Sequence, residues 1–286
     1  MKAAGRVFCV FNCLLAVMIS CTEVIDIDLD STYTRIVVYG SITTDSIRHQ
    51  VKLTTTSDYF SNKPSPAVSG ALVELEFNGK TMQFEENDTA AGLYLAPFAF
   101  RGEPGTEYLL HISQVDVDGN GEPEVYNAAS TMPGGVRLDS ISLNHTETPW
   151  WSGWEVYMYA LDPPTRDWYG IRVWKNSVPL TDTLISYLVF PDDFYNGGYL
   201  YYGFALAYLD DSTERERLYP GDTVTFELNQ IDQSYYDFVG DAQWEIFGYN
   251  PLFSGPPANV RSNVDHGGQG IFTAYSIQRA SALVPE

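Results

Sequence analysis

Short segments in which apolar and polar residues alternate recur along most of this chain, separated by turn-forming residues. The clearest case is the pair 71–77 and 80–84, which flanks Asn78-Gly79. An Asn-Gly pair between two alternating segments predicts a type I′ β-hairpin, because both central residues of that turn need a positive φ. Alternation with a period of two is typical of half-buried strands, so we expect an all-β fold.

The first part of the body, residues 33–135, is predicted to be an immunoglobulin-like or fibronectin-like β-sandwich. It carries about seven strand-like segments in about 100 residues and little helical periodicity, a pattern that is typical of such sandwiches. The segment Met132-Pro133-Gly134-Gly135 interrupts the pattern, and we predict a domain boundary there.

Residues 136–286 are predicted to form a second β-rich domain with longer, more aromatic strands. The expected strands are 136–143, 154–161, 168–175, 184–190, 199–209 and 223–228. One short helix is expected near 234–247, with Ser234 as a candidate N-cap and Gly248 at its end. The apolar residues at helical spacing are Tyr235, Phe238, Val239, Ala242 and Ile246.

The N-terminus predicts export and lipidation. Lys2 and Arg6 accompany an apolar run, 7–19, that is too short to span a bilayer, as in a secretory signal peptide. The motif Met18-Ile19-Ser20-Cys21 resembles a bacterial lipobox. We therefore expect residues 1–20 to be removed and Cys21 to carry acyl chains such as palmitate. The alternative is an ordinary signal peptide that happens to contain Cys21.

All three cysteines lie at or before Cys21. Processing there would leave a body without a free thiol or a disulfide, so its stability must come from a hydrophobic core. The acidic segment 21–32 is predicted to be a tether, and it resembles the export motif of Bacteroidota surface lipoproteins. We expect the protein on the outer membrane, facing the cell surface; a periplasm-facing location is the alternative.

The charge of the chain bears on its partners. It has 37 acidic and 16 basic residues and a formal net charge of −21. Such a surface repels the phosphate backbone of nucleic acids and anionic lipid headgroups, so nucleic-acid binding is not expected. Attachment to a membrane would therefore depend on the lipid anchor and not on electrostatic attraction.

Several motifs, taken together and in order, resemble one protein family. They are the acidic lipobox region 21–30, Ile36–Thr43, 68–73, 92–94, 105–112, 132–133, 250–260, 262–264 and 270–272. They resemble the Bacteroidota outer-membrane lipoproteins grouped as domain of unknown function family 4249. The resemblance implies an accessory lipoprotein associated with a TonB-dependent outer-membrane receptor in nutrient uptake, and it supplies no catalytic residues.

A candidate cation site lies in the acidic segment 116–124. Its candidate ligands are Asp116, Asp118, Asn120, Glu122 and Glu124. The first three occupy positions 1, 3 and 5 of a calcium-loop pattern, with Gly121 at position 6. Position 12 is Asn127, not the Glu that closes such loops. The segment is either a weak calcium site or an acidic hairpin tip whose residues serve turn geometry.

Two aromatic loops are candidate binding surfaces for a ligand or a partner. One contains Trp150, Trp151 and Trp154, and the other contains Phe194 and Tyr195. Exposed aromatic side chains stack on sugars or anchor protein interfaces. Alternation along a strand would instead place some of these side chains in the core, and both interpretations are kept.

The sequence offers little support for catalysis. Its four histidines are scattered and lack metal-ligand spacing, and no nucleophile elbow or phosphate-binding loop is found. We therefore expect a non-enzymatic outer-membrane lipoprotein that is the accessory partner of a TonB-dependent receptor. The alternative is a stand-alone surface module that binds glycans or peptides, as an adhesin does.

Overall fold

Strands make up most of the described chain, which confirms the predicted all-β class. The computed structural model describes residues 34–57, 63–117, 119–193, 196–200, 205–247 and 260–286. The predicted signal peptide, Cys21 and the acidic tether lie outside the described residues, and so do Asp118, Phe194 and Tyr195. Among the described residues, no helix has the length and apolar character needed to cross a bilayer.

The first part of the chain forms a series of antiparallel pairs. Its strands are β1 (Ile36–Thr43), β2 (Gln50–Thr55), β3 (Leu72–Phe77), β4 (Lys80–Asn87), β5 (Ala90–Leu95), β6 (Glu107–Val115) and β7 (Glu124–Thr131). They are ordered β1-β2-β5-β4-β3-β6-β7. Asn78 and Gly79 have φ values of 49° and 68°, which confirms the predicted hairpin turn between β3 and β4.

The strands of this part fall into two groups, β1-β2-β5 and β3-β6-β7, and strand β4 lies between them. Its first residues pair with β3 and its last residues, from Glu85, pair with β5, with an irregularity between Glu86 and Asn87. The alternate apolar residues of both groups point into one hydrophobic cluster. Its fully buried members include Val38, Leu53, Leu75, Tyr94 and Leu110.

The second part of the chain contains two further groups of strands. The strands of the second part are β8 (Arg137–Glu147), β9 (Ser152–Leu161), β10 (Trp168–Lys175), β11 (Val178–Pro179), β12 (Leu188–Pro191), β13 (Tyr199–Leu200), β14 (Ala205–Asp210), β15 (Thr223–Ile231) and β16 (Gln269–Leu283). Strands β8, β13 and β14 pair with β9, whereas β11, β12 and β15 pair with β10. A second hydrophobic cluster takes its side chains from both groups, including Val156, Ile171 and Phe226.

One predicted strand begins later than expected. The prediction started at Leu184, but β12 starts at Leu188. Residues Thr183 and Ser186 form a closed turn in which each backbone N–H is held by the other side chain's hydroxyl oxygen at 3.2 Å. Such side-chain hydrogen bonds compete with strand pairing, so the strand cannot begin before the turn ends.

The predicted helix is present as α1 (Gln233–Phe247). Its cap differs from the prediction: the carboxylate of Asp232, not Ser234, accepts the N–H of Tyr235 at 2.7 Å. Tyr235 and Val239 are the buried residues of the helix. They pack with Tyr187 and Tyr275, among others, in a third cluster, which covers the sheet formed by β10, β15 and β16.

The last strand, β16, is shared by the two parts of the chain. Residues 269–275 pair in parallel with β1, and residues 276–283 pair antiparallel with β15. The predicted boundary at 132–135 falls between the segments that supply the first two clusters, but Phe272 and Ala274 of β16 belong to the first. Residues 33–286 group as one compact unit.

Candidate functional site

A tryptophan stands at the tip of the β8–β9 hairpin. The pair Glu147 and Ser152 closes the ladder, and a short loop joins the two strands. The hydroxyl oxygen of Thr148 accepts the N–H of Trp151 at 2.9 Å, and the backbone N–H of Thr148 donates to the Trp151 carbonyl at 2.8 Å. These bonds shape a tight turn that leaves Trp150 with 93% of its surface exposed.

A polar cluster holds the end of this hairpin against β14. Asp211 follows β14, and one of its carboxylate oxygens accepts the Ser152 hydroxyl at 2.7 Å and lies 2.8 Å from His145 Nε2. The hydrogen bond with His145, together with the Ser152 hydroxyl, lowers the pKa of Asp211. The Trp151 ring stands edge-on to Tyr208 of β14, with centroids 5.9 Å apart. The hairpin end that carries Trp150 is therefore held in place by its contacts with β14 and Asp211.

The structure separates the three tryptophans that the sequence grouped. Trp150 is exposed, and Trp151 is half-buried beside Tyr208. Trp154 lies within β9, packs against the second hydrophobic cluster and contacts His145 edge-on at 5.0 Å. Trp150 and Trp151 are therefore the solvent-accessible tryptophans of the tip, whereas Trp154 packs within the strand. The other predicted aromatic pair, Phe194 and Tyr195, lies outside the described residues.

The described residues of the acidic segment 116–124 lie mostly exposed between β6 and β7. A carboxylate oxygen of Asp116 accepts the N–H of Gly121 at 2.9 Å, and Glu124 accepts the N–H of Val117 at 3.1 Å. The Asn120 side-chain oxygen accepts the N–H of Glu122 at 2.7 Å. These bonds are those of a turn; because Asp118 is not among the described residues, calcium binding here stays a prediction.

Three aspartates that the sequence analysis did not select converge at the ends of strands. Asp162 follows β9, Asp167 precedes β10 and Asp192 follows β12. Each offers a carboxylate oxygen, and these oxygens lie within 4.8 Å of one another. All three residues are buried. Among the described residues, these three carboxylates lie close enough together to bind one metal ion.

Backbone pairing places the three aspartates. In the β10–β12 ladder Trp168 is opposite Pro191, and one residue further on the N–H of Asp192 donates to the Asp167 carbonyl at 3.1 Å. On the other side, the N–H of Asp162 donates to the carbonyl of Gly198, just before β13. The cluster therefore lies where the β9 group of strands meets the β10 group.

Among the described residues, the hydrogen-bond donors to two of these carboxylates are neutral groups. The two oxygens of Asp162 accept the Tyr169 hydroxyl at 2.5 Å and the Gly197 N–H at 2.9 Å. The oxygens of Asp167 accept the Thr165 hydroxyl at 2.8 Å and the Gln230 side-chain amide at 2.6 Å. The neighbouring Arg166 is directed elsewhere, to Asp193 at 3.2 Å.

Asp192 differs from the other two aspartates. It is only 2% exposed, yet neither of its carboxylate oxygens has a hydrogen-bond partner among the described residues. Burial raises the pKa of both Asp192 and Asp167, and the charges of neighbouring aspartates add to this increase. The free protein therefore holds these carboxylates at an energetic cost, because burial disfavours their ionised form.

A separate groove lies beside helix α1. This cavity of about 370 Å³ is lined by residues including Tyr39, Arg172, Trp174, Leu184, Tyr187 and Tyr235. The Arg172 guanidinium lies over the Tyr187 ring, 5.0 Å from its centroid. The volume is in the range of small-molecule sites, roughly 300–1,000 Å³, and a cation among aromatic rings suits a polar ligand.

Sequence reasoning missed the three aspartates for an identifiable reason. They lie in two segments, Asp162-Pro163-Pro164-Thr165-Arg166-Asp167 and Pro191-Asp192, which have no metal-ligand spacing. The available signal was their position, since Asp162 and Asp167 directly adjoin predicted strands and Asp192 lies two residues after one. Only the pairing of β10 with β12 could show that Asp167 and Asp192 are neighbours.

Comparison with known proteins gives a match over most of the chain. The model of a family described as a domain of unknown function, DUF4249, matches residues 22–281. The search of curated proteins finds no match to the chain.

Proposed function

We propose, from the premise that this chain belongs to the DUF4249 family, that it is a non-enzymatic accessory lipoprotein of the outer membrane. It would be anchored through acyl chains on Cys21 and face the cell surface. Its partner would be a TonB-dependent receptor engaged in nutrient uptake. The family match confirms the predicted family, DUF4249, whereas a Bacteroidota origin, lipidation, location and partner belong to the proposal.

The observation that carries the proposal is the presentation of Trp150. Tryptophan is among the side chains most enriched in interface hot spots, and its burial in a partner's pocket supplies much of the binding energy. The hairpin tip holds it 93% exposed on a braced turn. A projecting tip inserts into a pocket on another protein, whereas a sugar-binding site is ordinarily concave.

The charge of the body fits attachment by a lipid. A net charge of −21 opposes adsorption to an anionic membrane surface. Stable attachment then needs more than one acyl chain, each contributing about 0.8 kcal/mol for every buried methylene. The lipobox at 18–21 supplies the acceptor cysteine for such a modification.

The anchor is tested by metabolic labelling with a clickable palmitate analogue. The wild-type protein should carry the label and sediment with the outer membrane. The variant Cys21→Ser should lose both the label and the membrane association. Labelling that persists in Cys21→Ser would refute Cys21 as the acceptor.

The partner is tested by a detergent pull-down of the native protein from its own outer membrane. A TonB-dependent receptor should co-purify in stoichiometric amount, and Trp150→Ala should reduce its recovery at least tenfold. Phe98→Ala removes another exposed aromatic side chain and serves as the matched control. Recovery of the lipoprotein alone, under conditions that preserve known receptor complexes, would contradict the proposal.

The groove beside α1 favours a second candidate, a stand-alone module that binds glycans or peptides. Aromatic faces and the Arg172 guanidinium are the groups that bind sugars and acidic peptides. A screen against glycans and peptides should then give binding that Tyr39→Ala weakens and Trp150→Ala leaves unchanged. Tyr39 is half exposed, so its truncation should preserve the fold.

A further inference from the structure

We propose that Asp162, Asp167 and Asp192 bind one divalent cation, Ca²⁺, at the junction between the β9 and β10 groups of strands. This site is independent of the partner surface at Trp150 and of the acidic segment 116–124.

The first argument is the charge that the protein buries at this point. Three carboxylates converge, and within the described chain no Lys, Arg or His forms an ion pair with any of them. Buried charges in proteins are ordinarily paired or coordinate a metal. A divalent cation would compensate most of this negative charge.

The second, independent argument is the state of Asp192. A carboxylate that is 98% buried normally accepts several hydrogen bonds, but both oxygens of this one lack a partner among the described residues. An oxygen of Asp192 lies within 4.8 Å of an oxygen from each of the other two residues. Asp192 is therefore directed into the cluster with its ligand positions free.

The third argument concerns the kind of metal. Ca–O distances of about 2.4 Å place ligands on opposite sides of one ion about 4.8 Å apart, so oxygens within that limit can share a Ca²⁺ ion. The donors are carboxylates, without a His or Cys side chain in the cluster. Such a donor set selects hard cations and disfavours Zn²⁺ and Cu²⁺. Ca²⁺ also tolerates the irregular geometry that three separate strand ends provide better than Mg²⁺ does.

The expected consequence is structural. The ligands come from the end of β9, the start of β10 and the end of β12, which belong to the two groups of strands around the second hydrophobic cluster. A bound ion would fasten these strand ends to one another. Calcium should therefore raise the unfolding temperature of the protein, because the ion binds the folded state and not the unfolded chain.

The experiment compares the full chain in detergent with Asp192→Asn, which keeps the size of the side chain and removes its charge. After treatment with a chelator, titration calorimetry with CaCl₂ should show one site in the wild type. About 1 mM Ca²⁺, the range of extracellular calcium modules, should raise the unfolding temperature by several degrees. Asp192→Asn should lose both effects.

The order of stability provides a second readout. In chelator, Asp192→Asn should unfold at a temperature equal to or above that of the wild type, because it removes an uncompensated buried charge. In calcium the order should reverse. A variant that is less stable than the wild type by the same amount in both conditions would overturn the proposal.

Two matched controls locate the ion. Asp193→Asn changes the adjacent residue, which pairs with Arg166, and should keep the calcium response. Asp116→Asn changes the acidic segment 116–124 and should also keep it. Loss of the response in Asp116→Asn with retention in Asp192→Asn would place the ion in the acidic segment and refute the proposed site. A wild type that responds to Mg²⁺ and not to Ca²⁺, or to neither ion, would also overturn it.

Discussion

At the scale of single residues, one guanidinium joins three parts of the fold. Arg279 of β16 is the cross-strand neighbour of Glu227 in β15, and its Nε donates to that carboxylate at 2.7 Å. Its other nitrogens donate to both oxygens of Asp45, which follows β1, at 2.9 and 2.6 Å. The Glu227 side chain is 2% exposed, and burial raises its pKa while Arg279 opposes that increase. Arg279 thus compensates a charge that the sheet has buried.

We expect Arg279→Met to lower the free energy of unfolding by roughly 2–3 kcal/mol, measured by denaturant titration. Removing one partner of a fully buried pair costs about 3–5 kcal/mol. The expected loss is smaller here because the Arg279 side chain is 41% exposed. The double variant with Glu227→Gln should recover a substantial part of this loss. The control Arg215→Met breaks an exposed pair with Asp182 and should change little. Equal losses in the two single variants would contradict the assignment.

At the scale of elements, the parallel pairing of β1 with β16 depends on a glycine. Gly270 is opposite Val38 and has a φ of 97°, a conformation that L side chains rarely adopt. A Cβ at Gly270 would lie 2.0 Å from the Val38 carbonyl oxygen. The backbones of the two strands are therefore too close at this point for any side chain.

The variant Gly270→Ala should cost more than about 2 kcal/mol of unfolding free energy, since it adds strain at positive φ to a clash with backbone. Gly240 in α1 offers a matched control, because a Cβ there would meet nothing within 4 Å and the residue is exposed to solvent. Gly240→Ala should instead stabilise the protein by up to about 1 kcal/mol through helix propensity. Thermal and denaturant unfolding of both variants measures the two effects. A Gly270→Ala protein as stable as the wild type would refute the close approach.

At the scale of the whole molecule, the C-terminal strand ties the first part of the chain to the second. Phe272 and Ala274 are fully buried in the first hydrophobic cluster, although they are separated from its other strands by the entire second part. An isolated bridge between Ala128 and Val264 adds a further connection. When the chain ends at the predicted boundary, the first part therefore lacks these core side chains and one of the two strand partners of β1, since only β2 remains.

A fragment of residues 33–135 should accordingly fail to fold alone. Its far-ultraviolet circular dichroism and its amide proton spectrum should be those of an unfolded or aggregated chain, because the β1 edge is exposed. A matched fragment in which residues 260–277 follow Gly135 through a flexible linker should regain dispersed amide signals. Dispersed signals from residues 33–135 alone would show that the first part is an independent domain.

The sequence by itself determined the local features of this protein: the alternating strand segments, the turn at Asn78-Gly79 and the one helix, predicted near 234–247. These features depend on the side-chain period and on the conformational preferences of a few neighbouring residues. Only the tertiary structure decided that β16 pairs with β1 and that Asp162, Asp167 and Asp192 share one site. Both results arise from backbone pairing between segments far apart in the chain, and no local pattern of residues specifies which strand becomes the neighbour of another.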